Sequence, residues 1–122
     1  VDMAWHTAGD KTDPATFEAE TLKKLGMPEA IVMRHASPHF LHVFSGEGYS
    51  AGYYSYMWSE VLDADAFAAF EETGNPFDPE MAEKLRTHVY SAGGSRDPGE
   101  LYQAFRGRMP DATAMLEKRG LA

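Results

Sequence analysis

The chain has 122 residues, of which 43% are hydrophobic and 12% aromatic, with no cysteine and a formal net charge of -8. This composition predicts one globular domain or a part of one. The acidic net charge disfavours a nucleic-acid partner, because binding to nucleic acid depends on clustered Lys and Arg. The lack of cysteine excludes disulfides and thiolate metal sites. Without a membrane-length apolar run or a signal-peptide pattern, the sequence predicts a soluble, cytoplasmic protein with no membrane partner.

The first predicted helix spans residues 14 to 25. The dipeptide Asp13-Pro14 supplies an N-cap aspartate and a proline at the first helical position, and Gly26 is typical of a helix C-terminus. Residues 31–44 follow without helical periodicity and are rich in β-branched and aromatic side chains. This stretch is therefore predicted to be extended or loop, with at most a short strand.

The longest predicted helix begins at residue 50 or 53 and ends near residue 73, before a glycine and a proline. Its widest apolar stripe is predicted to be largely buried and consists of Tyr54, Met57, Trp58, Val61 and Leu62. Its acidic residues are interpreted as a solvated face and stand at positions 60, 63, 65, 71 and 72.

Two further helices are predicted from the same Asp-Pro start. Asp78-Pro79 opens one that continues to Gly93, and the Asp-Pro pair at 97 and 98 opens a shorter one that ends at Gly107. One or two helical turns follow near the C-terminus. Together these patterns predict a mainly α fold.

Three histidines stand at positions i, i+4 and i+7, namely His35, His39 and His42. On a helix this spacing would bring neutral imidazoles together as zinc ligands. However, Pro38 interrupts the helix that would align them, and Ala36 stands where an HExxH motif carries its glutamate. Loop or interface histidines are the favoured interpretation, and an intrinsic zinc site is the minor alternative.

Tyr49, Tyr53 and Tyr56 repeat this spacing, so a helix that began near residue 50 would align them along its first two turns. Core packing is the ordinary explanation for a tyrosine. The glycines around these tyrosines are Gly46, Gly48 and Gly52. Glycines allow a backbone to move or to approach a ligand closely, and phenol hydroxyls aimed at one point could donate to a developing oxyanion.

The stretch HVFSGEGYSAGYYSYMWSEVL, residues 42–62, resembles the glycine-rich loop and following helix of the thimet oligopeptidase family of zinc metallopeptidases. The resemblance is strongest to the bacterial peptidyl-dipeptidases, and it continues through DMAWH at 2–6, MRH at 33–35 and FRGR at 105–108. It implies a zincin-type, mostly helical peptidase whose zinc is held by an upstream HExxH helix. Residues 1–122 would then be the C-terminal segment of the catalytic domain, without metal ligands of its own and inactive alone.

The same resemblance implies residue roles. Tyr56 would stabilise the tetrahedral oxyanion, and Tyr49 would be a second catalytic tyrosine that contacts the substrate. His42 would hydrogen-bond the substrate backbone, and Tyr53 would have a weaker positioning role. Gly46 and Gly48 would belong to the substrate-binding loop. Because the loop from His42 to Tyr49 is longer than is usual in the family, the register of the tyrosines is firmer than the placement of His42.

The implied partners are an oligopeptide substrate and the missing N-terminal part of the same protein, which would carry the zinc. Self-association is also expected of a chain taken from a larger shell, because such a chain exposes apolar surface. The alternatives are an endopeptidase of the same family and a non-catalytic helical module that binds a peptide or partner. Arg106 and Arg108 are interpreted as an ion-pairing segment.

Overall fold

A computed structural model of the chain describes residues 1–10 and 13–122. All regular elements in these ranges are helical, which confirms the mainly α class. The α-helices are α1 (Asp2–Thr7), α2 (Pro14–Lys24), α3 (Leu41–Phe44), α4 (Ser55–Glu72), α5 (Pro79–Leu85), α6 (Pro98–Arg106) and α7 (Thr113–Lys118). No helix in the described ranges is both long and apolar enough to cross a membrane. The chain divides into two compact units, Val1–Ser55 and Tyr56–Ala122.

The Asp-Pro pairs start helices as predicted. Asp13, Asp78 and Asp97 are the N-caps of α2, α5 and α6, and a proline follows each of them. Each carboxylate accepts a hydrogen bond from the backbone N–H three residues later, at 2.7, 2.8 and 3.1 Å respectively. The caps satisfy N–H groups that have no partner within the helix, so the local sequence is sufficient to define these starts.

The stretch 31–44 is irregular over 31–36, as predicted, but its second half is helical rather than extended or loop. A 3-10 helix, Ser37–His39, is followed after Phe40 by α3, and no strand occurs in the ranges that the structure describes. Pro38 is accommodated at the start of the 3-10 helix, where a missing N–H costs no helical hydrogen bond. The six residues of α1 had no clear sequence signal because the helix is too short for a repeating apolar stripe.

The helix predicted to run from Pro79 to Gly93 is not a continuous α-helix. It is α5 followed by a π-helical segment, Arg86–Tyr90. At its end the Ser91 N–H donates to the carbonyl of Arg86, five residues earlier, at 2.8 Å. The wider turn is a local departure that hydrophobic periodicity does not reveal.

In the first unit, one buried serine connects three elements. The Nε1–H of Trp5 in α1 donates to the hydroxyl of Ser37 at 2.8 Å, and both the N–H and the hydroxyl of Ser37 donate to Glu18 in α2, at 2.7 and 2.8 Å. The rings of Trp5 and Phe17 lie 4.2 Å apart, and Val43 of α3 is fully buried. This packing fixes α1 against the segment that carries the histidines.

In the second unit, the buried face of α4 is not the predicted stripe. Met57 and Trp58 are 56% and 65% exposed, whereas Asp65, predicted to lie on a solvated face, is fully buried. Small alanines allow other helices to approach this face. The apolar core of the unit consists of Ala64, Ala69, Phe70, Leu101, Phe105 and Met115. The predicted stripe is therefore wrong for Met57 and Trp58 and the predicted solvated face is wrong for Asp65, whereas Asp63, Glu71 and Glu72 are exposed as predicted.

Candidate functional site

The tyrosines lie around the start of α4 rather than along one helical face. Since α4 begins at Ser55, Tyr49 and Tyr53 belong to the preceding turn, and Tyr56 is the second residue of the helix. In this turn the Gly52 N–H donates to the Tyr49 carbonyl at 3.0 Å. The predicted helical start near residue 50 is therefore wrong: Ala51 has a φ of 58°, in the left-handed region, which a right-handed helix excludes.

His42 makes ring contacts with two of these tyrosines. Its imidazole lies edge-on to Tyr49, with centroids 4.3 Å apart at 82°, and edge-on to Tyr53, with centroids 5.4 Å apart at 78°. Edge-to-face geometry suits the charge distribution of aromatic rings. Thus the turn before α4 and the short helix α3 bring His42, Tyr49 and Tyr53 together within the first unit.

The aromatic contacts continue from Tyr53 to the 3-10 helix and the residues before it. Tyr53 packs edge-on against Phe40, with centroids 4.8 Å apart, and Phe40 is stacked with His35 at 5.4 Å. His35 and His42 therefore contact different aromatic partners. Among the described residues, no three His, Asp or Glu side chains are grouped as metal ligands.

The two glycines assigned to the loop have open space beside them. A Cβ added at Gly46 or Gly48 would meet no heavy atom within 4 Å, and neither residue has a positive φ. Contacts within the described chain therefore do not require glycine at these positions. The left-handed backbone conformation that usually favours glycine is found in this turn at Ala51.

Asp2, which the sequence interpretation did not include among the site residues, binds the backbone of residues 49–53, called here the tyrosine turn. One carboxylate oxygen accepts the N–H of Ala51 at 3.0 Å, and the other accepts the N–H of Tyr53 at 3.0 Å. The Nδ1 of His6, one helical turn away, lies 2.8 Å from the same carboxylate. The DMAWH motif was the signal that could have found this residue, but the contact joins positions 49 to 51 residues apart and no local pattern reveals it.

Charged side chains in the second unit surround the buried Asp65. Its carboxylate accepts a hydrogen bond from the Tyr102 hydroxyl at 2.7 Å and from Arg108, and the Nε of Arg106 lies 3.3 Å from it without hydrogen-bond geometry. Burial, reinforced by this hydrogen bond, raises the pKa of Tyr102. Arg106 also forms a bidentate salt bridge with Glu72, and the hydrogen bonds from Arg106 lower the pKa of Glu72. The interpretation of Arg106 and Arg108 as ion-pairing residues is confirmed, although their shared partner is buried.

The chain is similar in sequence to one family of peptidases and to individual proteins named as peptidases. The sequence model of Peptidase family M3 matches residues 1–121. Oligopeptidase A of Haemophilus influenzae is 42% identical over 117 residues, which cover 87% of the chain and 17% of that protein. Dipeptidyl carboxypeptidase of Escherichia coli is 36% identical over 126 residues, covering 99% of the chain and 18% of that protein. Oligopeptidase A of Escherichia coli is 51% identical over 85 residues, covering 69% of the chain and 12% of that protein. The chain thus spans less than a fifth of the length of these relatives.

Proposed function

The chain belongs to peptidase family M3, and from this premise we propose that it forms the C-terminal part of the catalytic domain of a zinc-dependent peptidyl-dipeptidase. The enzyme would release dipeptides from the C-terminus of oligopeptides. The 122 residues would contribute groups that bind the substrate and stabilise the oxyanion, and would be inactive alone. The term full-length protein denotes the polypeptide that contains this chain together with the proposed upstream part.

The contact of His42 with Tyr49 and Tyr53 is the observation that carries this proposal. It joins three residues that the family resemblance assigns to substrate binding and that lie on two different elements. Tyr49 remains 37% exposed, and Tyr56 in the first turn of α4 is 49% exposed. Side chains with this exposure can contact a bound peptide, whereas a tyrosine enclosed in a core cannot.

The proposed zinc would be bound outside this chain. Among the described residues, no three His, Asp or Glu side chains are grouped as ligands for it. When bound, such a metal ion polarises a carbonyl and lowers the pKa of a coordinated water.

The chain's own residues would act on the peptide. The Tyr56 hydroxyl would donate to the oxygen that becomes negatively charged as the scissile carbonyl is attacked, and this interaction strengthens as the charge develops. Tyr49 would donate to the bound substrate, and His42 would hydrogen-bond its backbone. Tyr53, which packs between Phe40 and His42, would hold the imidazole in place. The open space beside Gly46 and Gly48 would allow the peptide backbone to approach this loop.

An endopeptidase is the second candidate. The similarity to dipeptidyl carboxypeptidase extends over 99% of the chain, whereas the higher identities to oligopeptidase A extend over 87% of it for the Haemophilus influenzae protein and 69% for the Escherichia coli protein. The groups that select a free C-terminus would lie largely in the upstream part. Specificity therefore has to be tested with the full-length protein.

The experiment compares two peptides that differ only in having a free or an amidated C-terminus, each incubated with the zinc-loaded full-length protein. Mass spectrometry of the products is expected to show dipeptides released from the free form and little cleavage of the amidated form. Internal cleavage of both peptides would favour the endopeptidase. Binding without any cleavage would favour the non-catalytic module, and turnover by the 122-residue chain alone would overturn its proposed inactivity.

The exposed side chains on α4 support a covering partner. Met57 and Trp58 are 56% and 65% exposed in the isolated chain. We propose that the upstream part of the same protein covers this surface, and that the isolated chain self-associates through it. Acrylamide quenching of tryptophan fluorescence, measured at a dilution at which the chain is monomeric, tests the cover and is expected to be stronger for the chain alone than for the full-length protein. Light scattering at high concentration tests self-association and is expected to show oligomers. A strictly monomeric chain at high concentration would contradict the second point.

A further inference from the structure

The turn between Tyr49 and Tyr53 is not self-sufficient. Its internal hydrogen bond runs from the Gly52 N–H to the Tyr49 carbonyl, and the N–H groups of Ala51 and Tyr53 donate to a side chain far away in the sequence. Ala51 is held at a φ of 58°, a conformation that disfavours residues with a Cβ. An interaction from elsewhere must therefore stabilise this geometry.

Asp2 supplies that interaction with both oxygens of one carboxylate. Oδ1 accepts a hydrogen bond from the backbone N–H of Ala51, and Oδ2 accepts one from the backbone N–H of Tyr53, each at 3.0 Å. The two bonds therefore lie on either side of Gly52 in the sequence. Hydrogen bonds to an ionised acceptor are stronger than neutral ones. The two bonds together fix the direction of the backbone on both sides of the turn.

Asp2 is itself held in place. Its side chain is only 10% exposed, and the Nδ1 of His6 lies 2.8 Å from Oδ1. The helix α1 that carries both residues is anchored through Trp5, whose indole N–H donates to the buried Ser37. Ser37 begins the 3-10 helix that leads into α3 and His42. One short helix therefore contacts both the tyrosine turn and the segment that carries the histidine.

We propose that Asp2 is a positioning residue whose carboxylate sets the tyrosine turn in the conformation that holds Tyr49 and Tyr53 against His42. This inference rests on the proposed peptidase function for its effect on catalysis, but its structural part does not. Asp2 acts through the backbone of the turn and does not need to touch the substrate.

The test is Asp2→Asn in the full-length protein. The carboxamide keeps the shape of the side chain but replaces one acceptor by a donor, which then faces a backbone N–H. Deuterium exchange at the amides of Ala51 and Tyr53 is expected to accelerate about tenfold or more, because each loses or weakens its acceptor. A small displacement of reacting groups can reduce the rate by on the order of 100-fold, so kcat/KM is expected to fall between about tenfold and 100-fold. Asp2→Glu keeps both acceptor oxygens, so it should partly restore slow exchange at Ala51 and Tyr53 and partly restore kcat/KM.

The matched control is Asp13→Ala. This carboxylate also accepts a backbone N–H, that of Thr16 at 2.7 Å, so its loss weakens the same unit without touching the turn. The control is expected to lower the thermal midpoint while leaving kcat/KM and the exchange at Ala51 and Tyr53 within about twofold of wild type.

Three outcomes decide the inference. Unchanged exchange at Ala51 and Tyr53 in Asp2→Asn would overturn it, and so would a loss of kcat/KM no greater than that of Asp13→Ala. Faster exchange at the two amides together with a selective loss of kcat/KM would support it. A wild-type protein that cleaves no peptide would instead overturn the proposed function; the exchange at the turn and the affinity of the variants for a peptide would then decide the role of Asp2.

Discussion

The hydroxyl of Tyr102 in α6 donates a 2.7 Å hydrogen bond to the buried carboxylate of Asp65 in α4. The same carboxylate pairs with Arg106 and Arg108, so three side chains from one segment converge on it. Asp65→Ala would leave two guanidinium groups without this counter-charge. We expect a loss of about 3–5 kcal/mol in the free energy of unfolding, measured by chemical denaturation of the full-length protein.

Asp63→Ala is the control for this substitution. Asp63 lies two positions earlier on the same helix, is 75% exposed and is 3.9 Å from Lys118. Solvent screens such a pair, so the change should stay within about 0.5 kcal/mol. Equal losses in the two variants would show that the cluster around Asp65 does not stabilise this unit.

Tyr56→Phe should reduce peptide hydrolysis by the full-length protein about 100-fold or more, because one donor to the oxyanion is removed. Zinc content, measured by atomic absorption, should not change, since the hydroxyl is not a proposed ligand. Tyr54→Phe removes a hydroxyl two positions away, from a side chain that is also exposed. It should retain activity within about threefold; if both variants lose the same activity, Tyr56 has no special role.

His42→Ala tests substrate orientation. It removes the imidazole that packs on Tyr49 and Tyr53, along with a proposed hydrogen bond to the peptide backbone. The loss of one such bond corresponds to roughly a tenfold decrease in kcat/KM. His39→Ala, which changes an exposed histidine of the preceding 3-10 helix, is the control and should have little effect. A larger effect at His39 would mean that the wrong histidine has been assigned to the substrate.

The pair between Glu72 and Arg106 should make stability depend on pH on the acidic side. Hydrogen bonds from Arg106 hold the pKa of Glu72 below its ordinary value of 4.5 in the folded state. The unfolded state therefore takes up a proton first as the pH falls. The stabilisation is fully present above about pH 4.5 and disappears as the pH drops through the folded-state pKa.

Glu72→Gln provides the measurement for that pair. Because Glu72 is largely exposed, we expect wild type to exceed the variant by no more than about 1 kcal/mol at neutral pH. The difference should shrink steadily below pH 4.5 in denaturation experiments. A difference that grew as the pH fell would contradict the assigned direction of the pKa shift.

The sequence predicted those features that depend on neighbouring residues. The starts of α2, α5 and α6 follow from an aspartate and the N–H three residues later. The features that it predicted wrongly depend on distant partners. The burial of Asp65 requires arginines in and beyond α6, and the late start of α4 coincides with an Ala51 conformation that Asp2 holds from α1. For the site, the family resemblance assigns His42, Tyr49 and Tyr53 to substrate binding, and the structure brings these three residues into contact, while their chemical roles stay predictions.

The hydrogen bonds from Asp2 also have a consequence for the order of folding. They close loops of 49 and 51 residues, a separation at which contacts form only after an appreciable entropic cost has been overcome. The capped start of α2, by contrast, needs only residues three positions apart. Local helices can therefore form early, whereas the tyrosine turn acquires its final geometry only when α1 has docked. Partly folded forms of this unit would have helices but no ordered tyrosine turn.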